Sequence, residues 1–235
     1  MRQILSTTLS ALERSVVECR RCPELRRYCA NVAREKKRAH RDFEYWGRPV
    51  PGWGDRKARV LIVGLAPGAH GSNRTGRPFT GDASGEWLYR AMFRAGFANQ
   101  PQSLDRDDGL RLTDAYITAA IRCAPPQNKP TPEQRRRCFD YLRGEYEVLR
   151  PRVVITLGKI ADDSVHALLR EEHTYVTPRA PFKHGAETRM QTPKGREVLV
   201  LASYHPSRQN TNTRKLTEPM LDRIFVRARE LVCAS

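Results

Sequence analysis

Four short apolar runs, each followed by a loop and then by an amphipathic segment, limit most strongly how this chain can fold. The runs cover residues 60–65, 115–121, 153–157 and 197–203. Their alternation with segments of helical periodicity predicts a single α/β domain with a parallel sheet and right-handed crossovers. At 235 residues the chain is long enough to bury a substantial core. The region 171–196 shows neither pattern and is expected to be irregular or to form a hairpin.

The loop after the first run is rich in glycine. Without a Cβ, glycine lets the backbone approach a ligand closely. The loop also contains one aromatic residue, Phe79, and one acid, Asp82. It has neither the G-x-G-x-x-G pattern nor the lysine of a phosphate-binding loop, which argues against a dinucleotide enzyme and a P-loop NTPase. We interpret it as a pocket for a planar ring joined to a phosphate backbone. Its glycines are Gly64, Gly68, Gly71, Gly76 and Gly81.

The net charge restricts the class of partner. The chain has 42 Lys and Arg against 26 Asp and Glu, which leaves a net charge of +16. This favours nucleic acid over an anionic membrane surface, although the charge of a basic protein can also serve solubility alone. In the region 26–58, basic residues alternate with aromatic ones. This mixture predicts either a surface that lies against phosphates or a solvated helix face followed by a loop.

The apolar pattern gives no sign of a membrane segment. No run approaches the ~20 residues that span a membrane. The N-terminal stretch also lacks the continuous apolar core of a signal peptide. We therefore expect a cytoplasmic protein that has no membrane partner.

The N-terminal segment carries apolar residues at helical spacing and ends in a C-x-x-C motif at residues 19–22. The spacing predicts an amphipathic helix over 1–18 that packs on the body of the protein. The motif places two thiolates where they can bind one metal or cluster. The apolar positions are Leu5, Leu9, Leu12 and Val16.

Two later cysteines complete a set of four. Cys123 and Cys138 are separated by 14 residues and flank a loop. Four thiolates suit an iron–sulfur cluster or a structural zinc, and the spacing does not choose between them. We interpret the remaining Cys29 and Cys233 as a buried small apolar side chain and a tail thiol. The predicted metal ligands are Cys19, Cys22, Cys123 and Cys138.

Several motifs together resemble the uracil-DNA glycosylase superfamily, most closely its family 5, also called type B. Besides the cysteines, they are Gly64-Leu-Ala-Pro-Gly68, Gly76-Arg-Pro-Phe79 and His205-Pro-Ser207. The resemblance runs from Cys19 to about Leu221, and the continuous string over 64–85 is far more specific than either short motif.

The resemblance implies both a fold and an activity. The fold is a four-stranded parallel sheet with helices on both faces, and the cofactor is a [4Fe–4S] cluster rather than zinc. The activity is the removal of uracil from DNA in base excision repair, with hypoxanthine and xanthine as further substrates. We expect a monomer whose partner is DNA that contains uracil or another deaminated base.

The chemistry of base removal suggests roles for individual residues. A base inside a duplex must be flipped into a pocket, where Phe79 offers a stacking face. Cleavage leaves negative charge on the departing base, so hydrogen-bond donors must be held in place for it. We predict that His205 donates to a base carbonyl, with a purely structural histidine as the alternative, and that backbone N–H groups of the loop add donors. The predicted substrate-binding residues are Gly64, Leu65, Ala66, Pro67, Gly68 and Phe79.

Two departures from the better-known families require a different catalytic group. Most members carry Asp or Asn where this chain has Ala66, and the Asn that others place before the third cysteine is missing. We therefore predict that Asp82 orients water or stabilises the sugar cation, with a helix N-cap as the alternative. Asn128 is predicted to contact base or water, with an Asx turn as the alternative. The predicted catalytic residues are Asp82, His205 and Asn128.

The three motif loops all follow predicted strands. Ligands of α/β sheets bind beyond the carboxyl ends of strands, so we expect the loops at 64–81, 123–132 and 205–209 to meet at one edge. Either Arg208 or Gln209 is predicted to fill the gap that the flipped base leaves. The predicted DNA-binding residues are Arg74, Arg77, Lys129, Ser207, Arg208, Gln209 and Lys215.

A competing hypothesis is a non-catalytic iron–sulfur or zinc protein that binds nucleic acid. It accounts for the cysteines and the charge but gives no reason for the motifs at 76–79 and 205–207. A zinc deaminase is disfavoured, because its H-x-E and P-C-x-x-C patterns are not matched by 184–187 and 19–22.

Overall fold

The computed structural model describes residues 8–233, in which helices and strands alternate as the sequence predicts. The helices are α1 (Leu9–Val17), α2 (Pro23–Glu35), α3 (Ser72–Thr75), α4 (Ala83–Arg94), α5 (Pro132–Leu149), α6 (Lys159–Leu169), α7 (Arg208–Asn212) and α8 (Glu218–Cys233). The strands are β1 (Trp53–Gly54), β2 (Val60–Gly64), β3 (Ala115–Ala119), β4 (Val153–Leu157), β5 (Thr174–Tyr175), β6 (Glu187–Gln191) and β7 (Glu197–Ser203). Short 3₁₀ turns lie at Arg38–His40 and Pro126–Asn128.

The strands form one mixed sheet in the order β1-β3-β2-β4-β7-β6-β5. The central strands β3, β2, β4 and β7 are parallel, as predicted. The predicted number of four strands is wrong, because the sheet has seven. On one side β1 pairs antiparallel with β3, and on the other β6 and β5 extend the sheet antiparallel to β7. Two of the added strands are only two residues long, which is too short for a periodic pattern in the sequence.

Both faces of the sheet are covered, because alternate residues of each strand point to opposite sides. On one face Ile62 and Ile117 pack with the apolar sides of α4 and α8. On the other face Leu61 and Val63 pack with α1, α5 and α6. All five residues of β2 are buried, as expected of a central parallel strand.

The helix ends follow the sequence signals. Asp82 caps α4, and its carboxylate accepts a hydrogen bond from the Gly85 N–H at 3.0 Å. Thr131 and Gln134 form a capping box at the start of α5. The predicted N-terminal helix is confirmed from Leu9 onwards, and the part of that prediction that includes Leu5 lies outside the described residues.

A third, smaller apolar cluster lies between α2 and the loop after β3. It contains Cys22, Cys29, Cys123 and Cys138 together with Leu25 and other apolar residues. Within residues 8–233 no helix combines the length and the apolar character needed to cross a membrane.

Candidate active site

A cavity of about 450 Å³ lies at the carboxyl ends of the parallel strands. The loops after β2, β3 and β7 all line it, which confirms that the three motif loops meet at one edge. The turn that precedes β1 closes a further side with Val50 and Pro51. The volume lies in the range of ligand-binding pockets, roughly 300–1,000 Å³.

Phe79 is held in one wall of this cavity by close packing. A Cβ on Gly64 would lie 2.7 Å from two atoms of the Phe79 ring, so only glycine fits behind it. Phe79 has a φ of 52°, a left-handed conformation that is costly for an aromatic residue. The Tyr89 hydroxyl donates to the Pro78 carbonyl at 2.8 Å and supports this bend. The structure thus corrects the role predicted for Gly64, which supports Phe79 from behind and does not line the cavity.

The backbone after β2 presents free donors to the cavity. Leu65, Ala66, Pro67 and Gly68, which are predicted to bind substrate, all line it. Within residues 8–233 the N–H groups of Ala66 and Gly68 make no hydrogen bond. Pro67 has no N–H to offer. The loop therefore supplies two backbone donors rather than a continuous row.

His205 faces Phe79 across the cavity wall. The two ring centroids are 5.8 Å apart, and the ring planes are tilted by 32°. The imidazole nitrogens make no hydrogen bond with any of the described residues, which disfavours the alternative of a histidine held by structural partners. Burial lowers the pKa of His205 to about 4. The ring is therefore neutral near pH 7 and can donate one N–H without carrying a charge.

Asp82 is the helix N-cap that was considered as the alternative, and it also lines the cavity; its catalytic role stays a prediction. One carboxylate oxygen, Oδ1, caps α4. The other, Oδ2, lies against the glycine loop, because a Cβ on Gly71 would come within 2.1 Å of it and one on Gly68 within 3.0 Å. The residue lines the cavity, and burial raises the pKa of its carboxyl group above the ordinary value. Within the described chain Oδ2 makes no hydrogen bond, so it is available to a ligand.

Asn128 also lines the cavity and lies in a strained turn. Both Gln127 and Asn128 have positive φ values, 54° and 57°, which non-glycine residues adopt rarely. The Asn128 amide makes no hydrogen bond with the described part of the chain, so the Asx turn considered as an alternative is absent. Both side chains line the cavity, and strain of this kind is concentrated at functional sites.

The predicted DNA contacts divide into three groups. Lys129, Ser207 and Gln209 line the cavity, and Ser207 also caps α7. Arg208 and Lys215 are exposed outside it, at the side of the loop after β7. Arg74 and Arg77 are buried instead.

Arg74 and Arg77 correct the sequence prediction of phosphate contacts. The Arg74 side chain is 5% exposed and donates to the carbonyls of His70 and Gly81, at 3.0 and 3.1 Å. The Arg77 side chain is 2% exposed and forms an ion pair with Asp108 at 2.6 Å. Their guanidinium groups are engaged in hydrogen bonds and an ion pair inside the protein, and these contacts hold the glycine loop in place.

Arg122 is a cavity residue that sequence reasoning missed. It is 1% exposed and pairs with the buried Glu145 at 2.6 Å, while it also donates to Thr118. A buried charge of this kind is tolerated only with a partner and hydrogen bonds. The pair joins the end of β3 to α5. Nothing in the local sequence pattern distinguishes this arginine from the many exposed ones.

Other residues of the cavity were also missed. Gln127 was within reach of sequence reasoning, because it adjoins Asn128 in the same proline-flanked turn. Six further lining residues were assigned no role; three of them lie in the motif string over 64–85, and the other three come from segments without a chemical motif. They are Val50, Pro51, Ser72, Pro78, Ser84 and Ala119.

The four predicted metal ligands lie at one corner beside the cavity. Cys22, Cys123 and Cys138 are buried and Cys19 is half-buried; all four are free thiols. Burial raises the pKa of Cys22 and raises that of Cys138 to about 11, and the neighbouring thiols act in the same direction. Among residues 8–233 no three Cys, His, Asp or Glu side chains are placed to hold a single metal ion.

The two left-over cysteines differ in their surroundings. Cys29 is fully buried beside Cys123 and donates weakly to the Ala124 carbonyl, with 3.6 Å from sulfur to oxygen. This burial agrees with its interpretation as a small apolar side chain, although it contacts the predicted ligands directly. Cys233 is exposed at the end of α8, as expected of a tail thiol.

Comparison with known proteins decides the family. Residues 51–229 match the family model described as the uracil DNA glycosylase superfamily. The chain belongs to the uracil-DNA glycosylase superfamily. The resemblance drawn from the motifs is therefore confirmed.

Individual relatives agree with this assignment. A type-5 uracil-DNA glycosylase of Thermus thermophilus is 48% identical over 225 residues, covering 94% of this chain and 97% of the relative. One from Pyrobaculum aerophilum is 46% identical over 213 residues, covering 91% of this chain and 88% of the relative. One from Mycobacterium bovis is 48% identical over 215 residues, covering 91% and 78% respectively. All three bear the name of the family 5 enzymes that the motifs resemble.

The depressed pKa of His205 predicts a pH dependence of stability. Unfolded histidine takes up a proton below about pH 6.5, whereas folded His205 does so only near pH 4. Because the unfolded state binds more protons in that window, the free energy of unfolding should fall as the pH drops from 6.5 towards 4. Urea denaturation at several pH values, compared with His205→Gln, measures this contribution. Identical pH profiles for the two proteins would show that His205 titrates normally.

Proposed function

We propose that the protein removes uracil from DNA by hydrolysing the N-glycosidic bond, and so begins base excision repair. The arrangement of Phe79, His205 and Asp82 around one cavity supports this proposal most strongly. The names of the relatives agree with it. DNA is the partner that the net charge of +16 favours.

The flipped base enters the cavity and stacks on Phe79. Such stacking contributes about 1–3 kcal/mol per base. The ring is immobilised by Gly64 behind it and by the bent backbone on either side. A stacking surface that is already fixed loses little entropy when the base arrives.

The departing base is stabilised by neutral donors. As the bond from the sugar to the base nitrogen breaks, its electron pair moves onto the base. His205 donates an N–H to a base carbonyl. The free N–H groups of Ala66 and Gly68 also stabilise the negative charge on the base. Donors that are held in place beforehand stabilise the transition state without reorganising during the reaction.

The sugar develops positive charge as the bond breaks, and the negatively charged carboxylate of Asp82 stabilises it. Its ionised Oδ2 stabilises the positive sugar and orients the water that adds to it. Asn128, whose amide has no partner among the described residues, contacts the base or this water. The helix cap holds Asp82 at a defined position, so its structural role serves its catalytic one.

We further propose that the site accepts hypoxanthine and xanthine. The cavity volume of about 450 Å³ leaves room for a ring larger than a pyrimidine. Ala66 has only a methyl group at the position where the better-known families of the superfamily are expected to carry Asp or Asn. No group of the described lining therefore restricts the site to pyrimidines on the ground of size.

A [4Fe–4S] cluster held by Cys19, Cys22, Cys123 and Cys138 is proposed as the cofactor. Four thiols in an apolar corner are the donor set of such a cluster. Three of these thiols, Cys22, Cys123 and Cys138, lie in one buried apolar cluster. When bound, the cluster joins the N-terminal segment to the loop after β3. Its role is therefore structural.

Excision itself is measured with labelled duplexes that carry uracil, hypoxanthine or xanthine, followed by alkaline cleavage at abasic sites. We expect strand scission at uracil and, at lower or comparable rates, at the two purines. An undamaged duplex serves as the control. Protein that is folded and contains its cofactor but yields no scission on any of these bases would refute the enzyme and favour a nucleic-acid-binding role.

The charge of Asp82 is tested by Asp82→Asn. Asparagine is a good N-cap, and the raised pKa of the buried carboxyl means that its ionised form lowers stability at neutral pH. Melting temperature should therefore stay the same or rise, while kcat falls by about 10²–10³-fold. The matched control is Glu86→Gln, an exposed acid in the first turn of the same helix, which should leave kcat close to wild type. Unchanged turnover in Asp82→Asn would remove the carboxylate from the mechanism.

The cofactor is tested by chemical analysis of protein purified without oxygen. We expect a brown protein with about four irons and matching sulfide per chain. The variant Cys138→Ser should lose the iron and the sulfide. The control Cys233→Ser, which changes an exposed cysteine at the end of α8, should retain them. A colourless protein that contains zinc instead would contradict the proposal.

A further inference from the structure

Residues 36–48, which we name the basic strap, border the cavity without lining it. The strap follows α2 and leads directly into Val50 and Pro51 at the cavity wall. Its end is tied to α3 by backbone hydrogen bonds from Trp46 N–H to the Arg74 carbonyl at 2.8 Å and from Gly47 N–H to the Asn73 carbonyl at 3.0 Å. It therefore has a defined position relative to the site.

Aromatic side chains make the strap rigid. Two guanidinium groups lie near the Trp46 ring, that of Arg106 at 4.1 Å and that of Arg48 at 5.7 Å from its centroid. A Cβ on Gly76 would lie 2.8 Å from that ring. The Tyr45 hydroxyl is 3.1 Å from Nδ1 of His70. These contacts explain why aromatic residues alternate with basic ones in this segment.

The strap presents cations that form no ion pair within the described part of the chain. Lys37, Arg38, Arg41 and Arg48 are exposed and form no ion pair with any of the described residues. Two acids, Asp42 and Glu44, share the segment but are also exposed and unpaired. In a protein with surface ion pairs elsewhere, this segment keeps its positive charge open to solvent.

The pKa values of two nearby histidines reflect the positive electrostatic potential at the strap. Burial, followed by the charges of Lys37 and Arg74, lowers the pKa of His70. The same cations, after burial, lower the pKa of His40. Exposed cations without an acidic partner, held on a segment of defined position, are complementary to a phosphate backbone.

We infer that the basic strap binds the backbone phosphates of the DNA duplex that flanks the flipped nucleotide. This inference rests on the proposed function, because it takes the same DNA as substrate, but it concerns a surface outside the cavity. Phe43 is 46% exposed, and its ring centroid lies 4.7 Å from the Arg74 guanidinium. Its ring provides an apolar surface for contact with the sugars of the DNA backbone. The strap adds affinity for any DNA sequence, while the cavity selects the base.

The test removes three charges from the strap in Lys37→Ser/Arg38→Ser/Arg41→Ser. Its matched control, Arg152→Ser/Arg189→Ser/Lys194→Ser, removes three exposed, unpaired charges near the amino ends of β4 and β7, away from the cavity. Binding of an undamaged duplex is measured by fluorescence anisotropy over a range of salt concentrations. Each lost phosphate contact should reduce the slope of log K against log salt by about 0.9.

We expect the strap variant to bind more weakly with a shallower slope, and the control to keep the wild-type slope. Melting temperatures should be unchanged, and single-turnover excision at saturating protein should match wild type. A wild-type slope in the strap variant, or an equal loss in the control, would overturn the inference. If none of the three proteins excises any base but the salt slope of the strap variant still differs from that of the control, the proposed function is refuted. The inference that the strap binds DNA is then still supported.

Discussion

Parallel pairing of β3, β2, β4 and β7 is the constraint on which the site depends. Parallel strands place their carboxyl ends at the same edge, and crossover helices then cover both faces of the sheet. The loops that leave this edge are therefore brought together although they are distant in sequence. His205 follows β7 and Asp82 caps α4, while Phe79 lies in the loop before α4 and is held by packing on Gly64 and by the bond from Tyr89 to Pro78. Their positions are set by rigid elements and by packing rather than by mobile loops.

Arginine has two separate uses in this protein. Inside, Arg77 and Arg122 are paired with buried acids and hold the glycine loop and the end of β3 in place. A buried guanidinium needs such partners, because removal from water is costly. Outside, the arginines of the basic strap remain unpaired and keep their charge available. The net charge of the chain thus overstates the number of cations that can reach DNA, and the location of each one matters more than the sum.

Much of the fold and part of the site could be predicted from the sequence. The central strands, the capping box and the meeting of the three loops follow from local periodicity and turn chemistry. The edge strands β1 and β5 were missed, since two residues carry no period. Phe79, His205 and Asp82 were identified by residue type, but the phosphate contacts predicted for Arg74 and Arg77 disagree with their burial. The cavity residues without a motif had no signal at all.

The sequence by itself determined the order of elements, the family and the types of side chain at the site. These depend on local patterns and on motifs that are continuous in the chain. Tertiary structure alone decided that Gly64 lies behind Phe79, that Asp82 divides its two oxygens between a helix cap and the cavity, and which arginines are buried. The reason is physical: burial and pairing depend on neighbours that lie far away in sequence, and a pattern in one segment cannot specify them.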